Sequence, residues 1–290
     1  MSKKKRSTND PFHLNGKRAM VSLGPLNDNA HCPYRCAFCY VQDEFVSYAN
    51  LDVDDIISFL KGNRKKYDIV YVSGDTDSFA PPRTDRGLEL LYKIVMEIDC
   101  DLLFTTRTTF TEDNYHTLKR IIDEQKRTQN MLYACVSITR FSESTAYLEP
   151  RPIPTPIERI NVLRRLKELG ATTVLATRPF LPVVDVQDYL QIIDMARDCI
   201  DIVLGECFYF IRGGTVQQRV FPDGIPQELE EDIVRNQRMS FDDNSASWDI
   251  WDSSEYQEAV EMKCKELGIM FAMHSDDGVQ EYLLTCRTSI

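Results

Sequence analysis

Three of the nine cysteines fall within eight positions of HCPYRCAFCY: Cys32, Cys36 and Cys39. Thiolates are soft ligands that suit zinc or iron–sulfur clusters. Structural zinc takes a closed set of four ligands. Here the neighbouring fourth candidate is His31, adjacent to Cys32 and badly placed to join the same tetrahedron. A [4Fe–4S] cube held by three cysteines instead leaves one iron open to a small molecule. Two blander readings stay beside it: structural zinc, and cysteines packed as small hydrophobes. Arg35 and the flanking tyrosines make the loop polar and weigh against the last. Cys100, Cys135, Cys199, Cys264 and Cys286 have no cluster spacing, so the chain carries one cluster.

Such a loop needs a scaffold, and the sequence supplies a repeating one. Apolar, strand-like runs occur at 19–23, 67–74, 101–106, 132–138, 171–178 and 201–206. Amphipathic, helix-like stretches lie between them. In TPIERINVLRRLKELG, Ile157, Ile160, Leu163, Leu166 and Leu169 share a face, Thr155 is a candidate N-cap before Pro156, and Gly170 is the stop. Alternation of this kind implies parallel strands with right-handed crossovers. The expected fold class is α/β, a partial (β/α)6 TIM-type barrel with a C-terminal extension. A doubly wound open sheet is the rival. In both, ligands gather at the C-terminal ends of the strands.

The expected domain boundaries are a loose tail over 1–18, the barrel over 19–225, and an extension over 226–290 that could act as a substrate lid. The 290 residues carry a formal net charge of −11, which argues against broad electrostatic binding to nucleic acid. No run of 18 apolar residues and no signal-peptide core is present, so a cytoplasmic location is expected.

CxxxCxxC with Phe38 before the last cysteine resembles the radical S-adenosylmethionine (radical SAM) superfamily. YVSGDTDSFAPPR and SITRFSESTAYLEPRPIPTPIERINVLRRLKELGATTVLATRPFLPVV are similar to its spore photoproduct lyase-like branch, a likeness spanning roughly residues 19–205. The resemblance implies an enzyme with two cofactors, a [4Fe–4S] cluster on Cys32, Cys36 and Cys39, and S-adenosylmethionine on the open iron. The reduced cluster would split the sulfonium to methionine and a 5′-deoxyadenosyl radical, which takes a hydrogen atom from substrate. A flavodoxin- or ferredoxin-type protein would supply the electron.

Under that resemblance the strand ends become cofactor-binding candidates. Gly74 allows close backbone approach, and Thr76 and Asp77 offer acceptors for the cofactor's ammonium. Arg107 is a partner for its carboxylate, and Ser137 for its ribose. Arg159 either orients Glu149 or meets the cofactor, Arg178 points into the mouth, and Phe38 and Tyr40 bracket the adenine. Cys207 is a candidate hydrogen-atom donor and Tyr209 an alternative radical relay. The lyase's hydrogen-donating cysteine aligns with Gly74, which weakens the reading as a nucleic-acid lesion repair lyase. A peptide or small metabolite is the favoured substrate, on the acidic charge and on Trp248 and Trp251 in the extension. A non-enzymatic metal scaffold or redox sensor is the remaining class.

Overall fold

Every expected run is a strand, and every expected amphipathic stretch is a helix. The computed structural model describes residues 13–15, 17–23, 32–42, 52–74, 76–238 and 247–274, with 279 and 282. His31 and Asp75 lie outside the described residues, as do 1–12 of the expected tail. The chain opens with β1 (His13–Asn15) and β2 (Arg18–Val21), then α1 (Val53–Gly62), β3 (Ile69–Val72), α2 (Thr84–Glu97) and β4 (Asp101–Thr106). It continues through α3 (Glu112–Arg127), β5 (Leu132–Ser137), α4 (Pro156–Leu169), β6 (Thr172–Ala176), α5 (Val186–Ala196) and β7 (Ile202–Leu204). The remainder comprises β8 (Phe208–Phe210), α6 (Thr215–Val220), β9 (Ile233–Gln237), β10 (Trp248–Trp251), α7 (Ser254–Leu267) and β11 (Met270–Ala272).

Local chemistry sets the helix ends. The Thr155 hydroxyl accepts from the Glu158 N–H, and the Glu158 carboxylate accepts from the Thr155 N–H, a capping box with Pro156 in the first turn. Gly170 ends α4 at φ 91°, a left-handed conformation that costs glycine little. Asp52 and Thr111 cap α1 and α3 in the same way.

The main sheet runs β1-β2-β3-β4-β5-β6-β7-β11. β1 is antiparallel to β2, and the strands from β2 to β11 are parallel. That order never reverses, so there is no topological switch point and the doubly wound rival is excluded. Helices cover one face only, packing in chain order from α1 to α5 and then α7. The sheet curls into the expected partial barrel, and among the described residues the extension adds a seventh parallel strand, β11, beside β7. The boundary expected after residue 18 falls inside this sheet, because His13–Asn15 already pair with Arg18–Met20.

Both faces of the sheet are apolar, as covered parallel strands require. Tyr71, Leu103, Cys135, Val174, Ala176 and Leu204 form the barrel interior. The alternate residues Val70, Val72, Phe104, Val136, Leu175 and Val203 pack beneath the helices. This parity decides which side chains reach the mouth. A second sheet, β8-β10-β9, stands beside it. Its tryptophans are not displayed for a ligand. Trp248 is fully buried against Tyr209, with ring centroids 6.0 Å apart, and Trp251 against Tyr256 at 5.0 Å. Their role in the extension is packing, which removes one support for a peptide substrate.

Candidate active site

At the C-terminal ends of the strands lies a cavity of about 680 Å³, within the roughly 300–1,000 Å³ typical of small-ligand sites. Continuing the inward parity past each strand end gives its wall: Ser73 after β3, Thr105 and Arg107 on and after β4, Ser137 on β5, Arg178 after β6 and Glu206 after β7. Cys32, Cys36 and Cys39 line the same cavity from the loop after β2. The N–H of Cys39 donates to the Cys36 carbonyl at 3.2 Å, closing the turn that gathers them. Burial pushes the Cys36 thiol up to about 12 against the pull of the Arg107 guanidinium, and burial also raises Cys32 and Cys39. A ligand that demands thiolates must therefore bring positive charge with it.

The cavity also receives Phe38, Tyr40, Gly74, Thr76, Asp77, Cys207 and Tyr209. Several of these polar groups are already engaged. The Asp77 carboxylate accepts from the Phe79 N–H (2.9 Å), the Thr106 hydroxyl (3.0 Å) and the Arg107 N–H (2.7 Å). Burial still raises its pKa above the usual range despite those donors. The Thr76 hydroxyl accepts from Arg83 at 2.9 Å. Gly74 makes room for protein: a Cβ there would stand 2.6 Å from the Met20 methyl. Ser73, at φ 71°, holds the left-handed turn of this strand end, and its hydroxyl accepts from the Ser78 N–H.

Arg107 donates to Glu149 at 2.6 Å, and its guanidinium lies 5.2 Å from the Phe38 ring centroid. Glu149 is 2% exposed and also takes a bidentate pair from Arg159. Arg159 is fully buried, donates to the Ser137 carbonyl at 2.6 Å and does not line the cavity, so of its two expected contacts the structure shows the one with Glu149 and not the one with the cavity.

On the opposite wall, Arg178 donates to the Tyr71 hydroxyl at 2.7 Å and stands 4.0 Å from Glu206. Thr105 donates to the same Tyr71 oxygen at 3.1 Å, and Tyr209 donates to Glu206 at 2.9 Å. The rings of Tyr40 and Tyr209 lie 5.6 Å apart, and Ser253 Oγ donates to Cys207 Sγ at 3.5 Å. Tyr71, Glu206 and His274 were not singled out from sequence. Their signal was parity: each occupies an inward position two residues from another inward one.

A model of the radical SAM superfamily matches residues 26–196. The chain belongs to this superfamily of iron–sulfur enzymes, whose cofactors are a [4Fe–4S] cluster and S-adenosylmethionine. Among curated proteins it is similar to the uncharacterized protein ORF301 of Acidianus two-tailed virus, 26% identical over 209 residues, 63% of this chain and 66% of that protein. The chain thus spans just under two thirds of that relative. Among solved structures, its fold is similar to a spore photoproduct lyase variant (TM-score 0.62, 13% identity, 83% of this chain and 73% of that one). It is also similar to Streptococcus suis SuiB bound to its precursor peptide SuiA (TM-score 0.57, 10% identity, 89% and 49%).

The residues present fit the cluster. Three soft thiols face one cavity, with space beside them for a nucleotide-sized ligand. Soft thiolate donors of this kind suit an iron–sulfur cluster. With the family established, the non-enzymatic scaffold is set aside.

Proposed function

We propose that Cys32, Cys36 and Cys39 hold the cluster and that the chain abstracts a hydrogen atom from a peptide or small metabolite bound in the 680 Å³ cavity. The observation that carries this reading is the convergence of those thiols with Arg107, Ser137, Arg178 and Cys207 on one cavity. When bound, the cluster and S-adenosylmethionine supply the 5′-deoxyadenosyl radical. The protein's own groups bind, orient and exclude water. Phe38 and Tyr40 form the aromatic side that receives adenine, and Ser137 offers a hydroxyl to ribose. Arg107 and the backbone at Gly74, Thr76 and Asp77 receive the amino-acid end. Because the Asp77 carboxylate is engaged, it acts there mainly by fixing the Arg107 backbone.

Arg178, held by Tyr71 and Glu206, faces the substrate side, where a guanidinium recognises carbonyl or carboxylate oxygens. Cys207 supplies the hydrogen atom that quenches a product radical, and the thiyl radical left behind takes one electron from the flavodoxin- or ferredoxin-type donor and a proton from solvent; Tyr209 is the alternative relay. Net charge −11 and Gly74 at the lyase's thiol position favour a peptide or metabolite over a DNA lesion. SuiB, a fold relative bound to a peptide, is consistent with that choice. The electron comes from a flavodoxin- or ferredoxin-type donor.

We place the enzyme in the cytoplasm: all eight described cysteines are free, as in a reducing compartment. No described helix is long and apolar enough to cross a membrane. Anaerobic reconstitution followed by dithionite reduction with S-adenosylmethionine tests the reading. Release of 5′-deoxyadenosine is expected, stimulated by a peptide or metabolite fraction, and colourless protein releasing none would refute it.

A further inference from the structure

Strands β6 and β7 pair in register, Ala176 beside Leu204, and two residues beyond them stand Arg178 and Glu206. Both line the cavity, on the wall away from the cysteine loop. They carry opposite charges yet do not close on each other. Arg178 Nη1 and Glu206 Oε2 are 4.0 Å apart, beyond hydrogen-bond reach. Each is instead fixed by its own tyrosine. Arg178 Nη2 donates to the Tyr71 hydroxyl at 2.7 Å, and the Tyr209 hydroxyl donates to Glu206 Oε1 at 2.9 Å. The two tyrosines belong to different sheets, Tyr71 to the barrel and Tyr209 to β8. The charged side chains keep 15% and 28% of their surface open.

A guanidinium carries several N–H donors and a carboxylate several lone pairs. Among the described residues a single hydroxyl meets each side chain within hydrogen-bond distance, which leaves the remaining donors and lone pairs to water in the open cavity. Radical chemistry requires that water to leave. Each charge must then find its partner in the substrate, because a charge left unpaired away from water is costly. A substrate of one sign satisfies one of the two and strands the other. A carboxylate beside an ammonium, laid antiparallel to the pair, satisfies both. We propose that Arg178 and Glu206 clamp the zwitterionic head of a free α-amino acid, Arg178 taking the carboxylate and Glu206 the ammonium. This rests on the proposed hydrogen-abstracting function of the cavity and narrows its substrate to a molecule with free amino and carboxyl groups. The cavity of about 680 Å³ also has to take S-adenosylmethionine, so the second molecule is compact.

The test measures 5′-deoxyadenosine release by the reconstituted holoenzyme with S-adenosylmethionine and dithionite, in the presence of one of three pools. These are the standard amino acids in free form, their N-acetyl derivatives, and their carboxamides. The free pool is expected to stimulate release, and each blocked pool at least about tenfold less, as loss of a charge-assisted hydrogen bond requires. With the most active amino acid, Glu206→Gln should reduce the preference for the free over the N-acetylated form about tenfold, and Arg178→Gln the preference for the free over the amidated form. Loosened packing would lower both preferences together in either variant, and that result overturns the clamp. The pool comparison on wild type stands even where a variant fails to accumulate. Equal stimulation by free and blocked pools, the behaviour of an ion pair closed on itself, overturns the clamp, as does basal release that no pool stimulates. Both leave the hydrogen-abstracting function standing. Wild-type holoenzyme that holds no cluster, or releases no 5′-deoxyadenosine under any condition, refutes that function instead.

Discussion

The backbone N–H of Ala37 donates to the Leu148 carbonyl at 2.8 Å, one residue from Cys36 at one end and one from Glu149 at the other. The cysteine loop and the acid that gathers Arg107 and Arg159 are therefore pinned together. That bond joins two buried residues, so a change in either segment is felt by the other.

Replacing Cys32, Cys36 and Cys39 by alanine is expected to abolish iron and sulfide incorporation and the brown absorption, while far-ultraviolet circular dichroism stays that of a folded α/β protein. Truncating these small side chains at the cavity wall removes little core volume. Retention of near-stoichiometric iron in the triple variant would refute the assignment.

Glu149 predicts an acid-sensitive component of stability. Burial pushes its carboxyl up, but Arg159 and Arg107 outweigh burial and hold it below the ordinary value of 4.5. Its contribution is thus fully present above that value and is lost as pH falls through the lowered native one. Glu149→Gln, which leaves the arginines unpaired, should cost about 3–5 kcal/mol at neutral pH. The gap to wild type should narrow as the solution is acidified below 4.5. Urea midpoints of the apoprotein at neutral and acid pH measure it, and a constant gap contradicts the coupling.

Tyr71 predicts a split between cofactor and substrate handling. Tyr71→Phe removes the oxygen that accepts from Arg178 and Thr105. Losing a hydrogen bond to a charged group corresponds to about 1.5–3 kcal/mol. The expected outcome is weaker coupling of substrate turnover to cofactor cleavage, with the cleavage rate itself nearly unchanged. Equal loss of both rates would place Tyr71 with the cofactor instead.

Cys207 predicts an isotope result. Its thiol exchanges with solvent, so turnover in heavy water should place one deuterium in the product, and Cys207→Ala should lose that label while still releasing 5′-deoxyadenosine. Product mass spectrometry reads it directly. Full labelling in the variant would transfer the donor role elsewhere.

How much of this was legible in the chain varies by residue. The α4 boundaries were, because Thr155, Pro156 and Gly170 act within one turn of their own backbone. The cysteine trio was, because its spacing is local. Strand ends gave Arg107, Ser137 and Arg178 their place on the cavity. Arg159 stayed undecided between Glu149 and the cavity because helix α4 carries it behind the sheet, a fact of packing that no spacing records. Tyr71 and Glu206 meet Arg178 only once β3, β6 and β7 curl together, over separations as large as 107 residues. The pairing of β11 with β7 spans the intervening small sheet, and pairing partners are not written in a run of three residues.

The chain leaves the barrel at Gly205–Cys207 and enters the second sheet at Phe208, so the two sides of the cavity are built on different frameworks. The cysteine loop, Arg107 and Ser137 hang on the barrel; Tyr209 and Ile250 hang on β8 and β10. Descendants of such a sequence can redraw the second framework and so change which molecules are accepted, while the radical-generating half is inherited untouched.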